Sequence, residues 1–290
     1  MESLTPEKIK FLEEKANDIR ISIIEMLLEA GSGHTAGPLG MADTFSALYF
    51  HILKHDPKNP SLTDRDLVVL SNGHICPVYY AALAHSGYFP VEELKTLRKF
   101  GSRLQGHPHR EYLPTILETS SGPLGSGLSQ AVGMAIADRM DRGPASSRQI
   151  YALLSDGEHD EGQTWEAYLL AGKEKLQNLT VIIDRNNIQI DGYTESIMPL
   201  EPFGDKLRAF GFHVQSVDGH NFESIIEAIG VAQAEFAKPS VIILDTIPGK
   251  GVKEFERKFE WHGKPPNKEE AAMALAELRA IGAKIKGGQV

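Results

Sequence analysis

The chain has 290 residues and a formal charge of −9, from 30 Lys and Arg against 39 Asp and Glu. With 41% hydrophobic and 24% charged residues it has an ordinary globular composition, which excludes disorder, collagen and low complexity. The acidic balance argues against nucleic acid as a partner, because phosphate neutralisation needs clustered cations, and the single cysteine, Cys76, excludes an internal disulfide or a cysteine-built zinc cluster.

The first residues, Met1 to Lys8, lack an apolar stretch of the signal-peptide kind, and no apolar run reaches the length of a membrane span. A cytoplasmic chain with no membrane partner is therefore expected. Thr5 and Pro6 suit the start of a helix, and Ile9, Leu12, Ala16, Ile19, Ile23 and Met26 recur at spacings of three and four along one face. Gly31-Ser32-Gly33 ends it. A second helix is expected from about Met41 to Leu53, then a short buried strand at Leu67–Leu70. Leu128 to Met140 reads as an apolar helix behind the glycine-rich stretch Gly122-Pro123-Leu124-Gly125-Ser126-Gly127.

From Ile150 onward strand and helix alternate. Strands are expected at Ile150–Leu154, Val181–Ile183, Phe212–Val217 and Val241–Leu244, with helices at Trp165–Lys175 and Phe222–Phe236. Each strand run is continuously apolar, the pattern of a parallel strand covered on both faces. The order implies an α/β fold: a doubly wound, mostly parallel sheet with helices on both faces. The simplest division is one α/β domain over residues 1–250 and a C-terminal arm over 251–290. That arm carries His262 and a terminal helix capped by Asn267 and running to about Ile281.

In such sheets, ligands bind beyond the carboxyl ends of the strands. Ser155-Asp156-Gly157-Glu158 stands at one such end and Asp184-Arg185-Asn186-Asn187-Ile188 at the next. A carboxylate and an amide oxygen are hard ligands for magnesium or calcium, and Gly157 lets a phosphate approach the backbone. Each segment alone also reads as a helix cap or a turn. Both together, after successive strands, favour a metal–diphosphate site.

Four of the eleven histidines are singled out, each beside a glycine: His34, His74, His107 and His262. Imidazole donates, accepts and shuttles protons near neutral pH, so the set points to a polyhydroxylated substrate. A zinc site is the competing reading. Spacings of 40, 33 and 155 residues give it no local ligand motif. The glycine-rich stretch before the Leu128 helix suits an anion or a flat ring, or only close packing.

Taken together, Asp156-Gly157, the acidic run ending Glu161-Gly162, Trp165-Glu166-Ala167 and Asn186 thirty residues after Asp156 resemble the thiamine-diphosphate signature. With the histidine loops and the Gly-Pro-Leu-Gly loop in this order, the chain resembles the transketolase family from about Ile19 to His262. Ser155 departs from the glycine usual at that position. The resemblance implies magnesium or calcium on Asp156, Asn186 and the carbonyl of Ile188. It implies thiamine diphosphate against Gly157, with Gly122 and Leu124 on its aminopyrimidine ring and His74 and Glu158 among its contacts. It further implies that Glu161 lies at the subunit interface, connected to an activating glutamate of the partner, and that the four histidines surround a donor ketose.

Transketolases of the familiar kind are more than twice as long. The resemblance therefore implies the N-terminal subunit of a split enzyme, self-associating and paired with a separate chain that carries the pyrimidine-binding and C-terminal domains. A cytoplasmic heterotetramer of the pentose phosphate pathway is expected. It would pass a two-carbon ketol unit from a ketose phosphate to an aldose phosphate. The alternatives are a split transketolase for a sulfonated or branched sugar, the alpha subunit of a 2-oxo acid dehydrogenase, and a non-catalytic cofactor-binding scaffold. The histidine set disfavours the dehydrogenase, and the presence of Asp156, Asn186 and the loop histidines disfavours the scaffold.

Overall fold

The computed structural model describes residues 4–143 and 146–288. Helix α1, Pro6–Ala30, starts where Thr5 accepts the Lys8 N–H at 3.2 Å and stops at Gly31, whose φ of 63° favours glycine. Its apolar face is buried as the spacing predicts. A short helix, α2, Ala36–Gly40, comes first. The expected second helix then forms as α3, Ala42–Ala47, continued without a gap by a π-helical turn to Ile52. After β1, Leu67–Leu70, comes α4, Cys76–His85, which the sequence reading passes over. It is buried on nearly every side, so it has no amphipathic period to find.

Next in order are α5, Ser126–Arg142; β2, Ile150–Ser155; α6, Gly162–Glu174; and β3, Leu179–Arg185. A hairpin of β4, Ile188–Gln189, and β5, Gly192–Tyr193, leads to α7, Thr194–Ile197, and α8, Phe203–Ala209. The chain continues through β6, His213–Asp218; α9, Phe222–Gln233; β7, Ser240–Asp245; and α10, Lys268–Gly287.

Five parallel strands form one sheet in the order β1-β2-β3-β7-β6. Tyr151, Leu153, Ile182 and Ile242 face one apolar layer, built with α1, α3, α4 and α9. Ile150, Ala152, Val181 and Val241 face the other, built with α5, α6 and α8. Alternate residues of each strand thus enter opposite cores, which is why the runs are apolar throughout. Strand β6 is the exception. It lies at the edge and is only partly buried.

The segment expected as an arm folds back onto the domain. Asn267 caps α10 in a reciprocal pairing with Glu270, and Ala271, Ala274 and Leu278 share the core of α1. Lys10 Nζ donates to the Lys286 carbonyl at 2.8 Å across the same contact. Among the described residues no helix is long and apolar enough to cross a membrane.

Candidate active site

The register pairs Ser155 with Asp184, so the loops leaving β2 and β3 are neighbours. Above them lies a cleft of about 420 Å³ whose lining includes His34, His74, His107 and His262. Four histidines spread over 228 residues of sequence are thereby brought together. The rings of His34, His74 and His262 have centroids 4.8, 5.2 and 5.4 Å apart. His107 stands at the exposed rim, against Gly122, where a Cβ would come within 3.7 Å of its ring. Burial pushes His34 and His262 down to about 4, the neighbouring rings adding to the effect on His34. His74 is lowered well below the usual range, and His107 is lowered by burial and then by Arg98. The rings are therefore neutral at neutral pH. The Nδ1 atoms of His34 and His262 are buried with no hydrogen-bond partner among the described residues.

Gly122, Leu124, Gly157 and Ile188 also line the cleft. Asp156 lies beneath it, fully buried. Its Oδ1 accepts from the Gly157 N–H at 2.7 Å. Its Oδ2 accepts from the Asn187 N–H at 2.7 Å and from Arg185 Nη1 at 3.1 Å. Burial raises the Asp156 carboxyl while Arg185 opposes it. Asn186 is fixed at both ends of its amide: Nδ2 donates to Asp184 at 2.7 Å and Oδ1 accepts from the Ile188 N–H at 3.0 Å. Asp184 also takes the Thr246 hydroxyl, and burial pushes its carboxyl up to about 7.

Glu158, expected among the cofactor's contacts, has its side chain turned into the fold. Its carboxyl is enclosed, accepting from the Ser71 hydroxyl, the Gly125 N–H at 2.5 Å and the Ser155 N–H at 3.3 Å. Burial pushes it up to about 7. It ties the glycine-rich loop to the ends of β1 and β2. Gly125, with φ 81°, needs to be glycine, because a Cβ there would meet Gln163, Glu161 and Thr164 within 3 Å. Glu161 is exposed beside that loop.

Sequence reading missed Arg185. Its guanidinium also bonds Glu195 at 2.6 Å and Glu201 at 3.1 Å, so one cation serves three carboxylates. It missed the hairpin residues Gln189 and Asp191, which line the cleft. No local motif marks either, although Arg185 lies within the Asp184–Ile188 segment.

The family model for the transketolase thiamine diphosphate binding domain matches residues 12–281. A curated relative from Clostridium sp. (strain MSTE9), named 6-deoxy-6-sulfo-D-fructose transketolase subunit SqwG, is 46% identical over 94% of this chain and 98% of its own length. An apulose-4-phosphate transketolase subunit from Actinobacillus succinogenes is 39% identical over 92% of this chain and 96% of its own length. The crystal structure of transketolase from Campylobacter jejuni superposes with a TM-score of 0.86 at 36% identity, covering 96% of this chain and 46% of that one. The chain belongs to the transketolase family and corresponds to its thiamine-diphosphate-binding domain. It spans under half the length of the solved transketolase.

Proposed function

We propose that this chain is the cofactor-binding subunit of a two-chain transketolase that moves a two-carbon ketol unit from a ketose phosphate to an aldose phosphate. The observation that carries the reading is the convergence of four histidines on the cleft that also holds Gly157, directly above Asp156. The residues fit thiamine diphosphate and a divalent cation. Asp156 Oδ1 accepts from Gly157 alone among the described residues, and Asn186 offers an amide oxygen from the loop after the adjoining strand. With the Ile188 carbonyl these are hard oxygen donors, suited to magnesium or calcium. Gly157 would admit the diphosphate, Gly122 and Leu124 would meet the ring, and Glu161 would face the partner's activating carboxylate.

When bound, thiamine diphosphate supplies the electron sink for breaking the bond between the second and third carbons of the ketose. The chain's own residues handle hydroxyls and protons. Neutral imidazoles both donate and accept, and the unpartnered Nδ1 atoms of His34 and His262 are open to sugar hydroxyls. Glu158 holds in place the glycine-rich loop whose Gly122 and Leu124 would meet the ring. Near full-length matches to relatives named as transketolase subunits support the two-chain reading. The exposed Leu169 and Leu170 on α6 support self-association.

The test combines the purified chain with a chain carrying the pyrimidine-binding and C-terminal domains. Alone, the chain transfers no ketol unit from xylulose 5-phosphate to ribose 5-phosphate. With the partner, activity saturates at equal amounts of the two. Turnover by rigorously partner-free chain would sink the reading. A second reading, a sulfonated or branched sugar as substrate, is favoured by the names of the two relatives above. Comparing 6-deoxy-6-sulfofructose with xylulose 5-phosphate as donors in the same assay separates the two.

A further inference from the structure

A fifth glycine–histidine pair, Gly219-His220, lies outside the cleft. It sits in the loop after β6, with its side chain 10% exposed. Its ring is saturated. Nδ1 lies 2.7 Å from Asp43 Oδ2 on α3, and Nε2 accepts the Ile247 N–H at 2.7 Å from the loop after β7. A backbone N–H can only donate, so Nε2 carries no hydrogen and Nδ1–H donates to Asp43. The same Oδ2 takes Arg20 Nη2 at 2.5 Å, and Arg20 Nε donates to the Leu39 carbonyl at 3.1 Å. Burial works against the charge on Asp43, yet Arg20 and His220 hold it down at about 2.

We infer that His220 is a positioning residue for the histidine cleft, its ring fixing the loop after β7 against the loop that carries His34. The contact it fixes is tight. Two residues past Ile247, the Gly249 N–H donates to the Ala36 carbonyl at 2.8 Å. A Cβ on Gly40 would lie 3.0 Å from the Ile247 carbonyl oxygen. Beyond Gly249 the chain runs on to His262, and Thr35, next to His34, donates its hydroxyl to the Lys264 carbonyl at 2.6 Å. His34 and His262 therefore sit in two segments tied to each other at both ends. Arg20 holds the Leu39 end of the first segment and His220 the Ile247 end of the second. Removing the ring's acceptor leaves the Ile247 N–H unpaired, and removing its donor leaves Asp43 to Arg20 alone.

Glutamine and methionine are nearly isosteric, but only glutamine keeps one donor and one acceptor, so His220→Gln and His220→Met separate hydrogen bonding from volume. Amide hydrogen exchange at Ile247 and Gly249 is the direct readout. In the Met variant exchange at both rises about tenfold or more, the scale of one buried hydrogen bond, while Leu153 and Ile182 in the sheet keep their protection. In the Gln variant both return close to wild type. Gly249 matters most, because it does not touch His220. Unchanged protection at Gly249 in the Met variant overturns the inference, as does a uniform rise across the sheet. Should the Met variant not fold, the Gln variant decides: protection kept at both amides supports the role, and protection lost at Gly249 refutes it. The consequence for catalysis rests on the transketolase reading, whereas the exchange measurement does not. With partner present, turnover falls in the Met variant and recovers in the Gln variant. Wild-type turnover that is kept in a Met variant with fast exchange overturns positioning, and absence of wild-type turnover counts against the transketolase reading alone.

Discussion

His159 and the cleft histidines occupy the same end of the sheet and differ in what their nitrogens meet. His159 is saturated: Nδ1 faces the carbonyls of Ser155 and Asp156 at 2.9 and 3.2 Å, and Nε2 lies 2.9 Å from the Tyr168 hydroxyl. It packs edge-on against Trp165 and Phe203. His34 and His262 keep a buried nitrogen without a partner among the described residues. Burial depresses all three alike, each to about 4. A shifted pKa therefore does not distinguish the groups. What distinguishes them is hydrogen-bonding capacity left open, which costs stability in the free chain and is justified by a ligand that fills it.

The contrast breaks most directly by mutation. Replacing His34, His74 or His262 with Ala should lower turnover of the assembled enzyme by about 100- to 10,000-fold, the usual cost of a group in proton transfer, with little change in melting temperature. If these variants instead unfold early, the cleft rings belong with His159. Asp156→Ala comes next. It removes the carboxylate from the expected cation site, so calorimetry with magnesium should show thiamine diphosphate binding weakened by about 100-fold or more. Unchanged affinity would place the site elsewhere.

His159→Ala should show the opposite signature. It takes the imidazole away from the Ser155 carbonyl and the Tyr168 hydroxyl inside a packed aromatic cluster, and should cost about 2–4 kcal/mol in urea denaturation. The smallest effect is in pH. With folded pKa values near 4 for His34 and His262 against about 6.5 unfolded, the unfolded chain binds more protons between those limits. Stability on their account is intact above pH 6.5 and falls as pH drops toward 4. Glu158, raised to about 7, works in the other direction between its ordinary range and pH 7. The comparison should therefore be wild type against His34→Gln, which removes the His34 contribution alone. The variant should lose less stability than wild type from pH 7 to pH 4 in parallel denaturation curves.

The sheet was legible because its inner strands, covered on both faces, are largely apolar and end at polar residues such as Ser155 and Asp184. The first and last helices were legible from their caps, Thr5 and Asn267. Helix α4 was not, since burial on all sides erases the period, and neither was the short, wholly buried α2. In the site, Asp156, Asn186 and the four histidines could be named because each carries its chemistry in its residue type and its place in a loop, most of them with a glycine alongside. The partner of a residue is a different matter. That Glu158 faces Ser71 and Gly125, that Arg185 faces three carboxylates, and that His220 faces Asp43 and Ile247 are consequences of packing between distant segments. Gly219-His220 has the same local pattern as the cleft histidines and does a different job, so the pattern alone does not sort them.

The tie between Thr35 and Lys264 spans 229 residues, and the one between Lys10 and Lys286 spans 276. Contacts this remote in sequence close large loops, and loop closure is among the slower and entropically costlier parts of folding. His34 and His262 lie on opposite sides of the Thr35 closure. Their meeting therefore depends on closing that loop around the strands between them. The 5.4 Å approach of those two rings reports that this closure is made, and a chain that has built its sheet but not joined Thr35 to Lys264 would hold every residue of the site without having the site.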